Sequence, residues 1–137
     1  MIEKVLSYIK DVLEVPRDEY NGMPTCPFAK QERENNNIYL DTLSESNDFI
    51  MCMHKFIESG RNSAVFIQNG ELGERNTKKY QKFLNNILKA LDKSERKVLC
   101  INSDDDLEVD GFNARSLAPC FLVLINNKKE IKKAHDI

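Results

Sequence analysis

Four short apolar segments, set between patterns typical of amphipathic helices, constrain the fold of this chain more than any other feature. The segments cover residues 38–43, 63–68, 98–101 and 120–125. Their length and the turn-forming residues around them are typical of strands, and a continuous apolar run is typical of a strand covered on both faces. Helices of about 15 residues between the first three strands favour right-handed parallel crossovers. We therefore predict an α/β fold in the order ααβαβαββα, with a mostly parallel four-stranded sheet flanked by helices and the last strand added as a hairpin partner.

The helices are predicted from apolar residues that recur three and four positions apart. They cover 2–13, 28–34, 49–57 and 76 or 77 to 91, and a last helix begins within 131–137. Pro16 follows the first pattern and is expected to end it. Ser44 or Asn47 is the expected N-cap of the third helix, which Gly60 ends.

Size and charge limit the class of protein. With 137 residues, the chain has the usual length of one domain and can bury a core without disulfides or metal. Its 20 basic and 22 acidic residues nearly cancel, and no long block of one sign occurs, so we predict no nucleic-acid partner. The start lacks the pattern of a signal peptide, and no apolar run approaches the roughly 20 residues that span a bilayer. We expect a single α/β domain over residues 1–137, in the cytosol, with no membrane partner.

Of the four cysteines, one has a local reason to be reactive. Cys52, Cys100 and Cys120 lie within apolar patterns, where a reduced cysteine behaves as a small hydrophobic residue. Cys26 precedes Pro27, and proline is favoured at the first helical position, so the Cys26 thiol is expected at or beside a helix N-cap. The N–H groups and the dipole at a helix start can lower the pKa of a thiol well below its usual value of about 8.5.

Two interpretations of Cys26 follow. In the first, the Cys26 thiolate is a nucleophile or holds a small ligand. Lys30, one helical turn further on, adds positive charge, and Pro27 and Phe28 belong to the ligand-binding site. In the second, Cys26 and Pro27 only shape a helix start in a non-catalytic interaction module, for which a homodimer is one form. Ala29 stands where a Cys-Pro-x-Cys motif would carry a second thiol, which excludes a local dithiol mechanism.

The segment Cys26-Pro27-Phe28-Ala29 carries two resemblances. It is similar to the glutaredoxin active-site segment, in which Cys-Pro-Phe opens the first helix of a thioredoxin-like fold; this resemblance implies glutathione or mixed-disulfide chemistry at Cys26. It also resembles a family of uncharacterised small bacterial proteins that carry a Cys-Pro-Phe-Ala segment near the start and an Arg-Ser-Pro-x-Pro segment before the last strand. Residues 115–119, Arg-Ser-Leu-Ala-Pro, look like a looser version of the second segment. This second resemblance implies a fold and a site over about residues 25–135, and no particular reaction.

Arg115 is the second candidate site residue. A guanidinium binds carboxylates and phosphates through two parallel hydrogen bonds, and ligands of parallel sheets usually lie at the carboxyl ends of the strands. Because Arg115 precedes the last strand, we predict that it joins Cys26 in binding a small anionic ligand. The alternative is a surface arginine paired with an aspartate of the acidic segment 104–106.

No metal or cofactor site is predicted. Cys52 and His54 are two positions apart on a predicted helix and point in different directions, whereas paired ligands on a helix are normally three or four positions apart. The sequence contains no phosphate-binding glycine loop, dinucleotide fingerprint or serine-hydrolase motif. The predicted function is therefore single-thiol chemistry or small-anion binding at Cys26, and enzyme activity is left open.

Overall fold

Helices pack against both faces of a central sheet in the computed structural model of this chain. The structure describes residues 2–18, 21–24, 26, 29–68, 77–91, 96–102 and 112–127, and for residues 115, 116 and 127 it describes the backbone only. The helices are α1 (Ile2–Tyr8), continued by a π-helical turn (Ile9–Leu13), α2 (Ala29–Glu34), α3 (Phe49–Ser59), α4 (Thr77–Leu91) and a 3-10 helix (Ala114–Leu117). The strands are β1 (Pro16–Arg17), β2 (Met23–Pro24), β3 (Ile38–Leu43), β4 (Ser63–Gln68), β5 (Arg96–Ile101) and β6 (Phe121–Asn127).

The central sheet has the strand order β3-β4-β6-β5, and β1 and β2 form a separate antiparallel pair. β3 and β4 are parallel, whereas β6 is antiparallel to both of its neighbours, β4 and β5. β3, β4 and β5 therefore run in one direction, as the crossover argument requires, but β6 separates β5 from β4. The α/β class is confirmed. The prediction of a mostly parallel sheet was wrong, because in the described sheet a single pairing is parallel.

The burial of β6 explains its central position. Its residues from Phe121 to Ile125 are all buried and alternate between the two faces of the sheet. Such a strand gains most when it has a neighbour on each side and helices above and below. The edge strands instead carry polar residues, including Asp41 in β3 and Lys97 in β5. The last strand pairs antiparallel with β5, as predicted for a hairpin partner, but it is inserted between β5 and β4.

Two apolar cores lie on opposite faces of the sheet. One packs α3 and α4 against residues such as Phe66 and Val123, and in it the ring of the fully buried Phe56 lies 6.1 Å from the ring of Tyr39. The other packs α1, the π-helical turn and the 3-10 helix against residues that include Val65. Full burial of one large apolar side chain contributes about 1.5–3 kcal/mol, so these cores hold the helices on the sheet.

The ends of α3 depend on two local features. Asp48 is the N-cap, with a side-chain oxygen that accepts from the N–H of Met51 at 3.0 Å. The prediction of Ser44 or Asn47 as the cap was wrong, although the helix itself is confirmed. Gly60 ends the helix with a left-handed φ of 72°, a conformation that glycine adopts without steric cost.

The remaining helix predictions have different outcomes. The helix over 2–13 is confirmed as α1 and its π-helical turn, and α4 is confirmed over residues 77–91. The short helix expected over 28–34 is described from Ala29 onward. The helix expected within 131–137 and the acidic segment 104–111 lie outside the described residues. Within the part that is described, no helix combines the length and the apolar character needed to cross a membrane.

Candidate functional site

Cys26 is anchored through its backbone between the first two helices. Its N–H donates to the carbonyl of Leu13 at 2.9 Å, and its carbonyl accepts from the N–H of Ala29 at 3.2 Å. The first bond forms because the π-helical turn ends at Leu13, where helical carbonyls no longer have partners within the helix. The second bond places Cys26 beside the start of α2, where the sequence predicts it.

The dipole of α2 is a weaker influence on the thiol than the sequence pattern suggests. α2 has six residues, so fewer peptide dipoles add up at its start than in a longer helix. The dipole of α2 alone therefore does not account for a reactive thiol at Cys26.

A bidentate ion pair fixes α2 against the end of the first helix. Arg33 donates from Nε and Nη2 to the carboxylate of Glu14 at 2.7 Å and 3.0 Å. The Glu14 side chain is 6 % exposed, and its hydrogen bonds to Arg33 raise the pKa of the guanidinium. Because Glu14 follows Leu13 directly, the pair and the backbone bond of Cys26 together hold the Cys26 segment in one position.

Cys26 is half-buried and lines a small pocket at the amino ends of β3 and β4. The pocket lies between the π-helical turn, α2 and the sheet. Its other lining residues are Ile9, Leu13, Ala29, Glu32, Ile38, Ser63, Ala64, Val65, Leu124 and Asn126. Its volume is about 30 Å³, enough for about two water molecules. The pocket can therefore admit the reacting atoms of a ligand while the rest of the ligand stays outside.

Three buried polar residues stand among the apolar residues of this pocket. Glu32 is 7 % exposed, Ser63 is 8 % exposed and Asn126 is 7 % exposed. Together with Cys26 they provide a thiol, a carboxylate, a hydroxyl and an amide around a space of molecular size. Such a set can exchange a proton and orient a small polar molecule.

The other predicted site residues lie elsewhere or outside the described part. Lys30 is exposed and does not line the pocket. Pro27 and Phe28 lie outside the described residues. Arg115 belongs to the 3-10 helix, and its side chain also lies outside the described part, so a site shared with Cys26 stays a prediction.

The backbone around Arg115 is nevertheless located. The hydroxyl of Tyr8 donates to the carbonyl of Ala114 at 2.9 Å, which ties the 3-10 helix to α1. The chain then enters β6, whose first residue, Phe121, pairs with Gln68 at the carboxyl end of β4. The segment that contains Arg115 thus enters the sheet at the carboxyl end of β4, whereas the pocket of Cys26 lies at the amino end of the same strand.

The four cysteines are all thiols, and their surroundings differ. Cys52 and Cys100 are fully buried. Burial, reinforced by the nearby charge of Asp41, raises the pKa of Cys52 to about 12. Cys120 is half-buried, and burial raises its pKa as well. These three residues fit the structural role that the sequence predicts, and Cys26 differs from them in lining the pocket.

A second polar cluster surrounds Asp41 near the carboxyl end of β3. Asp41 Oδ1 accepts from the N–H of Thr42 at 2.8 Å and from the amide of Asn47 at 3.0 Å. Its Oδ2 accepts from the hydroxyl of Tyr39 at 3.0 Å, and Lys55 donates to the side-chain carbonyl of Asn47 at 2.8 Å. Both carboxylate oxygens are thus engaged in bonds that hold the loop before α3. We assign this cluster a structural role.

Sequence reasoning missed the polar residues of the pocket. Glu32 lies three positions after Ala29 on one helical face, and this spacing was the available signal. Ser63 and Asn126 come from different strands, and the order of the strands decides that they share a pocket. In the described residues, no group of three or more His, Cys, Asp or Glu side chains is arranged to hold a metal ion.

Comparisons with protein-family models, with curated proteins and with solved structures give no match for this chain. The two resemblances of the segment that begins at Cys26 therefore stay predictions.

Proposed function

We propose that this chain is a small cytosolic α/β protein that carries out single-thiol chemistry at Cys26. The observation that carries the proposal is the pocket. Of the four cysteines, Cys26 lines it, whereas Cys52 and Cys100 are fully buried. The backbone N–H and carbonyl of Cys26 are also both hydrogen-bonded, which holds the backbone that carries the thiol.

Glu32 is the proposed proton acceptor. Glu32 and Cys26 line the same pocket, which has room for about two water molecules, and the proposed proton transfer runs between them directly or through one water. Transfer of the proton from the thiol to the carboxylate leaves a thiolate and a neutral carboxyl group, and the total charge of the pocket is unchanged. The neutral carboxyl group then donates a hydrogen bond that stabilises the thiolate.

The proposed reaction is attack on a small disulfide or another small electrophile. In the disulfide case, the Cys26 thiolate bonds to one sulfur, the S–S bond breaks, and the second sulfur leaves as a thiolate. Because Ala29 stands where a local second thiol would be, the mixed disulfide on Cys26 is reduced by a thiol from another molecule. The shared negative charge of Cys26 and Glu32 favours a neutral reacting group, so an anionic part of a ligand would have to lie outside the pocket. Arg115 is the proposed partner of that part for a ligand that reaches from the amino end of β4 toward the 3-10 helix.

Alkylation of the folded protein tests this proposal. Iodoacetamide is added at pH 7.5, and mass spectrometry follows the labelling of each cysteine with time. We expect Cys26 to react at least about tenfold faster than Cys120, because burial holds the latter protonated. Cys52 and Cys100 should react only after unfolding in urea. As a control, Cys120→Ser should leave the rate at Cys26 unchanged; faster labelling of Cys120 than of Cys26 would contradict the proposal.

Charged and neutral reagents test the role of Arg115. If the arginine serves the site, Arg115→Gln should slow the reaction of Cys26 with anionic iodoacetate and leave its reaction with iodoacetamide unchanged. Lys82→Gln, on the exposed surface of α4, is the matched control for the loss of one positive charge. Equal effects on both reagents would remove Arg115 from the site.

A non-catalytic interaction module, such as a homodimer, is the second candidate. Two observations favour it: the backbone bonds of Cys26 are sufficient to shape a helix start, and several large apolar side chains on the helices are exposed. Phe83 is 58 % exposed and Ile50 is 43 % exposed. Under this alternative, Phe83→Ser should weaken self-association in sedimentation, and Cys26→Ser should change nothing. Concentration-independent sedimentation of the wild-type chain as a monomer would exclude the homodimer.

A further inference from the structure

β5 is an edge strand of the described sheet, with β6 on one side and no strand on the other. An edge strand presents a row of backbone N–H and C=O groups that can pair with another strand. In β5 the row that faces away from β6 belongs to alternate residues. It includes the N–H and the carbonyl of Val98 and the N–H of Cys100, and both residues are fully buried. These are the groups that the next strand would use.

Side chains of α4 occupy these groups. The amide of Asn85 accepts from the N–H of Val98 at 2.8 Å and donates to the carbonyl of Val98 at 3.2 Å. Gln81 accepts from the N–H of Cys100 at 2.9 Å through its side-chain carbonyl. One asparagine amide thus reproduces the pair of bonds that a neighbouring strand makes with a single residue. Gln81 and Asn85 are four positions apart, so one helical face presents both amides to the strand.

Side chains also bond backbone groups at the two ends of the opposite edge strand, β3. The guanidinium of Arg61 donates to the carbonyl of Ile38 at 3.1 Å. The amide of Asn47 donates to the carbonyl of Thr42 at 2.9 Å, so both ends of the outer row of β3 are occupied. Side chains thus bond outward-facing backbone groups on both edge strands of the described sheet.

We propose that Gln81 and Asn85 form a side-chain cap that keeps β5 from pairing with β5 of a second copy of this chain. A second copy is the expected occupant because its β5 carries the same apolar residues, 98–101, and the same row of backbone groups. Two such edges can meet antiparallel around a twofold axis and join two four-stranded sheets into one. The cap keeps the two sheets separate.

The double substitution Gln81→Ala with Asn85→Ala tests the cap. Its matched control is Lys82→Ala with Asn86→Ala, which removes two exposed side chains from the same helix. Sedimentation at increasing concentration measures association, and hydrogen exchange measures protection of the amides of Val98 and Cys100. We expect the double variant to gain an association step that the wild type and the control lack. In the dilute, dissociated variant the two amides should exchange at least about tenfold faster than in the wild type, and association should protect them again.

Two results overturn the proposal. The first is a folded double variant with fast-exchanging amides and the association state of the wild type at every concentration. The second is association that leaves the amides of Val98 and Cys100 unprotected, because it takes place at another surface. If the double variant does not fold, the single variant Gln81→Ala replaces it and removes one bond of the cap. Its association state and the exchange rate of the Cys100 amide are then compared with those of the wild type in the same way.

Discussion

Replacement of Asp41 should show how strongly the loop before α3 depends on one carboxylate. Asp41→Ala removes the acceptor of three hydrogen bonds, from the N–H of Thr42, the amide of Asn47 and the hydroxyl of Tyr39, at 2.8–3.0 Å. A bond to a charged group contributes about 1.5–3 kcal/mol, and water replaces part of the loss at this half-buried site. We expect a loss of about 2–3 kcal/mol in the free energy of unfolding. Asp41→Asn keeps Oδ1 as an acceptor and should lose about 1 kcal/mol.

The pH dependence of this loss distinguishes the charge of Asp41 from its shape. Burial is the largest influence and raises the pKa of Asp41, but the hydrogen bonds from Thr42 and Tyr39 and the charge of Lys55 together outweigh it and lower the pKa. Burial and the bond to Asp41 raise the pKa of Tyr39 to about 12, so its hydroxyl remains a donor. A carboxyl group with a lowered folded-state pKa stabilises the fold above its unfolded pKa of about 3.9, and this contribution is lost as the pH falls through the folded value.

Urea unfolding of the wild type and of Asp41→Asn between pH 7 and pH 2.5 measures this dependence. The difference in unfolding free energy should be largest above about pH 4.5 and should shrink below about pH 3.9. Asp11→Asn, at an exposed position, is the control and should show no such change. A difference for Asp41→Asn that is constant over this range would refute the reasoning, because it would show that the charge contributes nothing.

Two further substitutions have clear expected outcomes. Gly60→Ala should lower the free energy of unfolding in urea by about 1 kcal/mol, because a φ of 72° is unfavourable for alanine although no atom obstructs a Cβ. Gly60→Asn should lower it less, because asparagine tolerates this conformation better. An equal loss for both variants would point to a steric cause. Glu32→Gln should slow alkylation of Cys26 at pH 7 about tenfold, since glutamine cannot take the proton. The control Glu34→Gln, at an exposed position on α2, should leave the alkylation rate of Cys26 unchanged. Faster alkylation of Cys26 in Glu32→Gln would contradict the proposal, because it would show that the carboxylate only repels the thiolate.

Local sequence patterns predict the elements of this fold well, because they depend on neighbouring residues. The apolar segments 38–43 and 63–68 coincide with β3 and β4, and Gly60 ends α3 as expected. The N-cap differs because Asn47, the predicted cap, uses its side chain to bond Asp41 and Thr42. Asp48 then supplies the capping oxygen. The competition between two suitable side chains is decided by a tertiary contact.

The order of the strands in the sheet could not be predicted in this way, because hydrophobic periodicity describes one strand at a time. A clue was present in the composition of the strands, because β6 is the most continuously apolar, whereas β3 contains Asp41 and β5 begins with Arg96 and Lys97. A strand that is apolar on both faces favours the centre of a sheet. The same limit applies to the site. Cys26 was evident from its proline neighbour, but Ser63 and Asn126 approach it only through the pairing of β4 with β6.

The pH dependence of Cys26 alkylation in the folded protein tests the central claim most directly. The rate of reaction with iodoacetamide is measured from pH 5 to pH 10, with Cys26 resolved from the other cysteines by mass spectrometry. If Cys26 and Glu32 share one proton, the pair loses its first proton in the range where carboxyl groups titrate, so labelling should already rise below about pH 7, and Glu32→Gln should remove this rise. A midpoint at or above about 8.5, or no labelling of Cys26 before unfolding, would contradict the account and leave Cys26 as a helix start.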